Sequence, residues 1–115
     1  MKKIRIILSP EVEKSFAELE KEAQTQKVAQ SILRSIQQKI ELIKQNPHYG
    51  EPVSKKLIPV EWIQKYGIHN LFHVELANYW RLMYSLVRSM NENEIIAFVL
   101  NISSHPEYDK KMGYR

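Results

Sequence analysis

The chain has 115 residues, of which 43% are hydrophobic, and its formal net charge is +4. This length allows one domain with one hydrophobic core, and the composition excludes an intrinsically disordered protein. The lack of cysteine excludes disulfides and thiolate metal sites, and no apolar run reaches the roughly 20 residues of a membrane-spanning helix. The sequence therefore predicts a cytoplasmic domain whose basic charge favours a polyanionic partner or an acidic protein.

The first predicted elements are a strand and a helix. Residues 3–8 are rich in isoleucine and predict a short buried strand; their apolar part is too short for a signal peptide and contains Arg5. Ser9 offers a hydroxyl N-cap and Pro10 suits the first helical position, so a helix is predicted to begin here. Its apolar stripe consists of Val12, Phe16, Leu19 and Ala23.

A second, longer helix is predicted after a polar break at residues 24–26. Asn46 and Pro47 end it, because proline cannot continue a helix and restricts the residue before it. Its apolar stripe consists of Val28, Ile32, Ile36, Ile40 and Ile43, widened by Ala29 and Leu33. Two amphipathic helices joined by a short turn form a hairpin that must cover an apolar surface.

Residues 47–69 are irregular and rich in proline and glycine. One short helical turn is predicted at residues 60–66, with Trp62 and Tyr66 on the same side. A connection this long in a small domain is usually functional or contributes to partner docking.

Beyond residue 70 the hydrophobic period becomes two, which is typical of strands. Phe72, Val74 and Leu76 share one face of the first of these strands, whereas His73 and Glu75 share the other. A turn at residues 77–79 follows, in which Asn78 tolerates a left-handed conformation. The next strand places Trp80, Leu82, Tyr84 and Leu86 on one face, and Arg81, Met83, Ser85 and Val87 on the other. A more fully apolar strand is predicted at residues 94–102.

This order of elements, β-α-α-β-β-β, predicts an α+β fold. We expect a small antiparallel sheet of three to four strands packed on an N-terminal two-helix hairpin. Because both helices lie on one side, the other face of the sheet should be partly open to solvent or ligand.

Three short stretches give the chain a resemblance to a known family. They are N-L-F-H-V-E-L at 70–76, W-R-L-M-Y at 80–84, and the tail H-P-E-Y-D-K-K-M-G-Y-R at 105–115. With the order of elements and the strand at 96–102, they resemble the RelE/ParE superfamily of bacterial and archaeal toxins, and the tail looks like that of archaeal-type members. RelE-like members cut mRNA on the ribosome, ParE-like members inhibit DNA gyrase, and both are neutralised by a small antitoxin that wraps the toxin.

The resemblance implies a catalytic set. The arginine of the R-L-x-Y strand, here Arg81, supports the scissile phosphate in the ribonuclease branch. The preceding strand supplies His73 and Glu75, and the segment after the last strand supplies His105 and Tyr108. This chain departs from members that carry lysines in place of His73 and Glu75, or an arginine in place of His105.

The same residues suit RNA cleavage by its own 2′-hydroxyl. That reaction needs a base for the 2′ proton, cations for the phosphate charge, and an acid for the leaving 5′ oxygen. Arg81 would hold the phosphate, His105 would be the acid, and His73 or Glu75 the base. Without the resemblance, His73, Glu75 and Arg81 would be interpreted as a solvated cross-strand network.

Further residues have alternative interpretations. Tyr79, Trp80 or Tyr108 could stack on a base, although Trp80 and Tyr84 fit a core role better. Candidate RNA contacts, which also fit ordinary solvated charges, are Lys55, Lys56, Lys110, Lys111 and Arg115.

Three functional hypotheses follow. The first is the toxin of a type II toxin–antitoxin system, a metal-independent endoribonuclease that acts on translated mRNA. The second is a ParE-like gyrase inhibitor, and the third is an inactive homologue that only binds an antitoxin. The expected partners are a small acidic antitoxin (RelB-like) and RNA, with or without the ribosome, and no membrane. With three glycines and no Gly-rich phosphate loop, no cofactor or metal is expected.

Overall fold

A computed structural model describes residues 2–104 of the chain. Within this part the structure is α+β, with three α-helices and five strands. The elements in chain order are β1 (Lys3–Leu8), α1 (Pro10–Glu22), α2 (Lys27–Gln45), β2 (Glu51–Pro52), α3 (Val60–Tyr66), β3 (Phe72–Glu75), β4 (Trp80–Arg88) and β5 (Glu94–Ser104). None of the helices in residues 2–104 has both the length and the apolar composition needed to cross a bilayer.

The start of α1 and the end of α2 follow the predicted sequence signals. The backbone N–H of Val12 donates to the Ser9 hydroxyl oxygen at 3.1 Å, which satisfies one of the unpaired donors at the helix start. Helix α2 ends at Asn46, whose N–H still bonds to the carbonyl of Leu42, and Pro47 follows. Both predictions are confirmed.

The sheet is larger than predicted, and it is mixed. Its strand order is β1-β5-β4-β3-β2, and β1 runs parallel to β5 while the other three pairings are antiparallel. The prediction of an antiparallel sheet of three to four strands is therefore wrong in strand number and in the direction of one pairing. Strand β1 joins the sheet because β5, which is mostly buried, needs a hydrogen-bonded neighbour on each side.

The main core lies between one face of the sheet and the two long helices. Phe72 and Leu82 are both buried here, as the prediction of a helix-covered sheet requires. Strands β3 and β4 also contribute Val74 and Tyr84 to this core. In α2 the predicted stripe is displaced at its start: Ala29 is buried in the core, whereas Val28 is exposed.

A second, smaller cluster lies on the opposite face of the sheet. Met83 and Leu100 project there from β4 and β5, and α3 covers them with Trp62. The predicted helical turn at residues 60–66 is confirmed, and Trp62 and Tyr66 both belong to this cluster. Since α3 covers this part of the sheet, the candidate residues His73, Glu75 and Arg81 occupy the remainder of the same face.

Candidate functional site

Two rows of side chains cross the sheet on the face that points away from α1 and α2. In the first row Glu75 on β3 is opposite Arg81 on β4, which is opposite Ser103 on β5. In the second row Glu51 on β2 is opposite His73 on β3. His73 is in turn opposite Met83 on β4, which is opposite Asn101 on β5. These residues share one face because each alternates with a residue of the main core, such as Val74 or Leu82.

Arg81 and Glu75 form a cross-strand ion pair. Arg81 Nη2 lies 2.9 Å from Glu75 Oε1, and the Arg81 side chain is 16% exposed, against 73% for Glu75. The guanidinium is thus held against the sheet by a carboxylate that is itself in solvent. A guanidinium carries five N–H donors in a planar fork, a geometry that matches a phosphate as well as a carboxylate.

His73 lies beside this pair and is mostly buried. Its Nε2 is 3.5 Å from Glu51 Oε2, and its side chain is 18% exposed. Burial lowers the pKa of His73 from its ordinary value, and the positive charge of Arg81 lowers it further, while Glu51 and Glu75 act in the opposite direction. The imidazole is therefore neutral at neutral pH, which is the form that accepts a proton.

A cleft beside His73 brings a further cation to this region. Lys39 from α2 lines it together with Tyr49, Glu51, His73 and Glu75. The Lys39 ammonium donates a hydrogen bond to the Tyr49 hydroxyl at 3.2 Å and lies over the Tyr49 ring. Helix α2 thus supplies a positive charge at the edge of the sheet face that holds His73.

Four residues of this region were not predicted from the sequence. Lys39 and Glu51 reach the site through tertiary contacts of α2 and β2. Asn101 and Ser103 are buried polar residues of β5, and the Ser103 hydroxyl donates to Asn101 Oδ1 at 2.8 Å. The one available signal was their position: residues 101 and 103 are polar and lie on either side of Ile102, after the apolar run at residues 95–100.

The other predicted residues fall into three groups. Lys55 and Lys56 are exposed on a short turn beside the second cluster, and no hydrogen bond or ion pair within residues 2–104 joins them to His73, Glu75 or Arg81. Tyr84 is buried in the main core and Trp80 packs against it, in agreement with their predicted structural role. The candidates that lie outside the described residues are His105, Tyr108, Lys110, Lys111 and Arg115.

The described part of the chain contains no group of three or more histidine, aspartate or glutamate side chains arranged to bind a metal ion. The imidazole of His73 and the carboxylate of Glu75 can transfer protons, and the guanidinium of Arg81 can bind an anion. Comparison with known proteins adds no constraint, since no protein-family model, curated protein or solved structure matches the chain significantly.

Proposed function

We propose that this chain is the toxin of a type II toxin–antitoxin system, of the RelE/ParE type, and that it is an endoribonuclease acting on translated mRNA. One observation carries the proposal: the pairing of β3 with β4 brings His73 beside the mostly buried side chain of Arg81 on one sheet face. The order of the long elements, with a helical hairpin on one face of the sheet, supports the same family.

The proposed reaction is attack of an RNA 2′-hydroxyl on the adjacent phosphorus. His73 takes the 2′ proton, the 2′ oxygen bonds to phosphorus, and the bond to the 5′ oxygen of the next nucleotide breaks. Arg81 offsets the negative charge that grows on the phosphate oxygens. In this proposal His105 returns a proton to the leaving 5′ oxygen, a role that rests on the resemblance of the tail.

Of the two candidate bases, His73 is better suited than Glu75. Burial and the neighbouring Arg81 favour the neutral imidazole, so His73 can accept a proton at physiological pH. Glu75 is largely in solvent and forms an ion pair with Arg81, which makes it a residue that orients the guanidinium. Lys39 adds a cation to the cleft that His73 lines. This cation partly replaces the lysines that other members of the RelE/ParE superfamily carry on their strands.

A cleavage assay on translating ribosomes tests the proposal with Arg81→Ala. Loss of one donor that stabilises transition-state charge should lower the cleavage rate by about 10²- to 10³-fold. The matched control is Arg88→Ala, because Arg88 is an exposed arginine of the same strand. Cleavage by Arg81→Ala at the wild-type rate would contradict the proposed role, and absence of cleavage by the wild type would contradict the proposed activity.

The carboxylates around Arg81 favour a second candidate function. Glu51 and Glu75 place two negative charges near one guanidinium and a neutral imidazole, an arrangement that also occurs as a structural cross-strand network. A ParE-like gyrase inhibitor, or an inactive homologue that only binds an antitoxin, would need no general base. Intact mRNA together with DNA damage after induction would identify the gyrase inhibitor.

The proposed protein partner is a small acidic antitoxin. Leu57, Val60 and Ile63 expose apolar side chains around α3, and Lys55 and Lys56 precede them on the adjacent turn. An acidic amphipathic segment would match both the apolar surface and the positive charge. Co-expression with the neighbouring reading frame and pull-down should recover such a partner from wild type and less of it from Ile63→Asp. Equal recovery of the partner from wild type and Ile63→Asp would mean that the partner binds another surface.

A further inference from the structure

Tyr79 combines a strained backbone with an exposed aromatic ring. Its φ is 61°, in the left-handed region that bulky residues rarely adopt, and it follows Asn78 with a φ of 58°. Its side chain is 82% exposed, so packing does not compensate for this conformation. A glycine or asparagine would suit this backbone conformation better than an aromatic residue.

The turn that carries Tyr79 is anchored on both sides. The backbone N–H of Ala77 donates to the Ser35 hydroxyl of α2 at 3.1 Å, and Leu76 N–H donates to the Trp80 carbonyl at 2.8 Å. Trp80 itself packs against the main core. The turn therefore holds the backbone of Tyr79 in a defined place at the end of the sheet, from which its ring extends into solvent.

Tyr79 lines the same cleft as Arg81. The cleft has a volume of about 750 Å³, which is in the range of small-ligand sites, and Glu75, Asn78 and Trp80 also line it. A cation that suits a phosphate and an aromatic face that suits a base thus line one cleft. Stacking on exposed aromatic rings beside cationic groups is the usual way in which proteins hold single-stranded RNA.

We propose that Tyr79 stacks on the nucleobase next to the phosphate that Arg81 holds, and thereby positions single-stranded RNA across the end of the sheet. This inference rests on the RNA-binding part of the proposed function and does not need cleavage. It assigns Tyr79 as a binding residue, with an unpaired nucleobase as its ligand. Because every base has a π-face, the contact fixes the strand and does not select a sequence.

The test measures equilibrium binding of a fluorescent single-stranded RNA oligonucleotide whose 2′ positions are all methylated. Methylation removes the attacking hydroxyl, so the affinity is measured apart from any cleavage. Tyr79→Ala should weaken binding by about 10-fold, the order expected for the loss of one stacked base, whereas Tyr79→Phe should bind like the wild type. The control is Met90→Ala, which removes another fully exposed large side chain, from the turn between β4 and β5.

Three results would overturn the inference. The first is equal affinity of Tyr79→Ala and wild type, which would leave the proposed role of Arg81 in cleavage untouched. The second is the absence of measurable RNA binding by the wild type. The third is an effect of Tyr79→Ala on capture of the antitoxin alone, which would make Tyr79 a contact for a protein. Binding that follows the expected pattern, together with no cleavage of mRNA on translating ribosomes, would uphold the inference and contradict the nuclease.

Discussion

The Arg81 side chain lies in a sheet face where its removal should affect chemistry more than stability. Arg81 is mostly buried, but its ion-pair partner Glu75 is largely in solvent, and solvent around the carboxylate limits the contribution of this pair to the free energy of unfolding to about 1 kcal/mol or less. Arg81→Ala should therefore unfold in urea within about 1 kcal/mol of the wild type. A loss of stability as large as the loss of cleavage would mean that Arg81 is structural.

The lowered pKa of His73 has a consequence for stability at acid pH. In the unfolded chain a histidine takes up its proton near pH 6.5, whereas folded His73 takes it up only at lower pH because of burial and the charge of Arg81. Between these two values the unfolded state binds more protons, so the folded protein loses stability as the pH falls below 6.5. His73→Gln should remove the loss of stability that comes from protonation of His73.

Urea unfolding at pH 7.5 and at pH 5 measures the effect. The difference in unfolding free energy between the two pH values should be smaller in His73→Gln than in the wild type. The matched control is His69→Gln, because His69 is exposed and lies just before β3. An unchanged pH dependence in His73→Gln would contradict the account of His73, including its suitability as a neutral base.

At the scale of elements, Tyr84 attaches the segment after α2 to the sheet. Gly50 N–H donates to the Tyr84 hydroxyl at 2.9 Å, and that hydroxyl donates to the Pro47 carbonyl at 2.7 Å. Gly50 must be glycine here, because a Cβ would lie 2.9 Å from the Tyr84 ring and 3.1 Å from the backbone oxygen of His73. The loop is thus fitted to β3 and β4, and it leads directly into Glu51.

Tyr84→Phe should destabilise the protein by about 1 to 3 kcal/mol, since a buried backbone donor loses its partner. Urea unfolding measures the change. Tyr49→Phe is the matched control, because the Tyr49 hydroxyl accepts only a surface hydrogen bond from Lys39 within the described residues. A Tyr84→Phe variant as stable as Tyr49→Phe would show that the hydroxyl does not hold this loop.

Helix α3 determines how much of the second sheet face remains accessible. Lys65 Nζ and the Tyr66 hydroxyl both bond to the Glu11 carboxylate at the start of α1, so α3 is tied to the first helix as well as to the sheet. Trp62 is buried against the sheet from the same helix. These contacts confine the candidate site to the strand ends that carry His73, Glu75 and Arg81.

For the whole molecule, the sequence predicted those features that depend on local patterns. The N-cap at Ser9, the left-handed Asn78 and the alternation in β3 and β4 are properties of neighbouring residues, and the structure has all three. The strand β2 was missed because two residues, one of them proline, give no periodic signal. The parallel pairing of β1 with β5 joins residues more than eighty positions apart in the chain, so no local pattern indicates it.

The sequence predicted part of the candidate site, as it predicted part of the fold. Alternation placed His73, Glu75 and Arg81 on one face, and the register confirms that arrangement. Lys39 and Glu51 could not be predicted, since they approach His73 only through the packing of α2 and the pairing of β2. Asn101 was missed because the bulge between β4 and β5 near Met83 shifts which residues of β5 share the face of Arg81.

The central claim is that the chain cleaves translated mRNA with the help of Arg81. Induced expression followed by transcriptome-wide mapping of RNA 5′ ends tests it most directly, with wild type, Arg81→Ala and the control Arg88→Ala compared side by side. We expect new 5′ ends within coding regions for wild type and Arg88→Ala, and their loss in Arg81→Ala. Intact mRNA in cells that express the wild type, or equal cleavage by Arg81→Ala, would contradict the account.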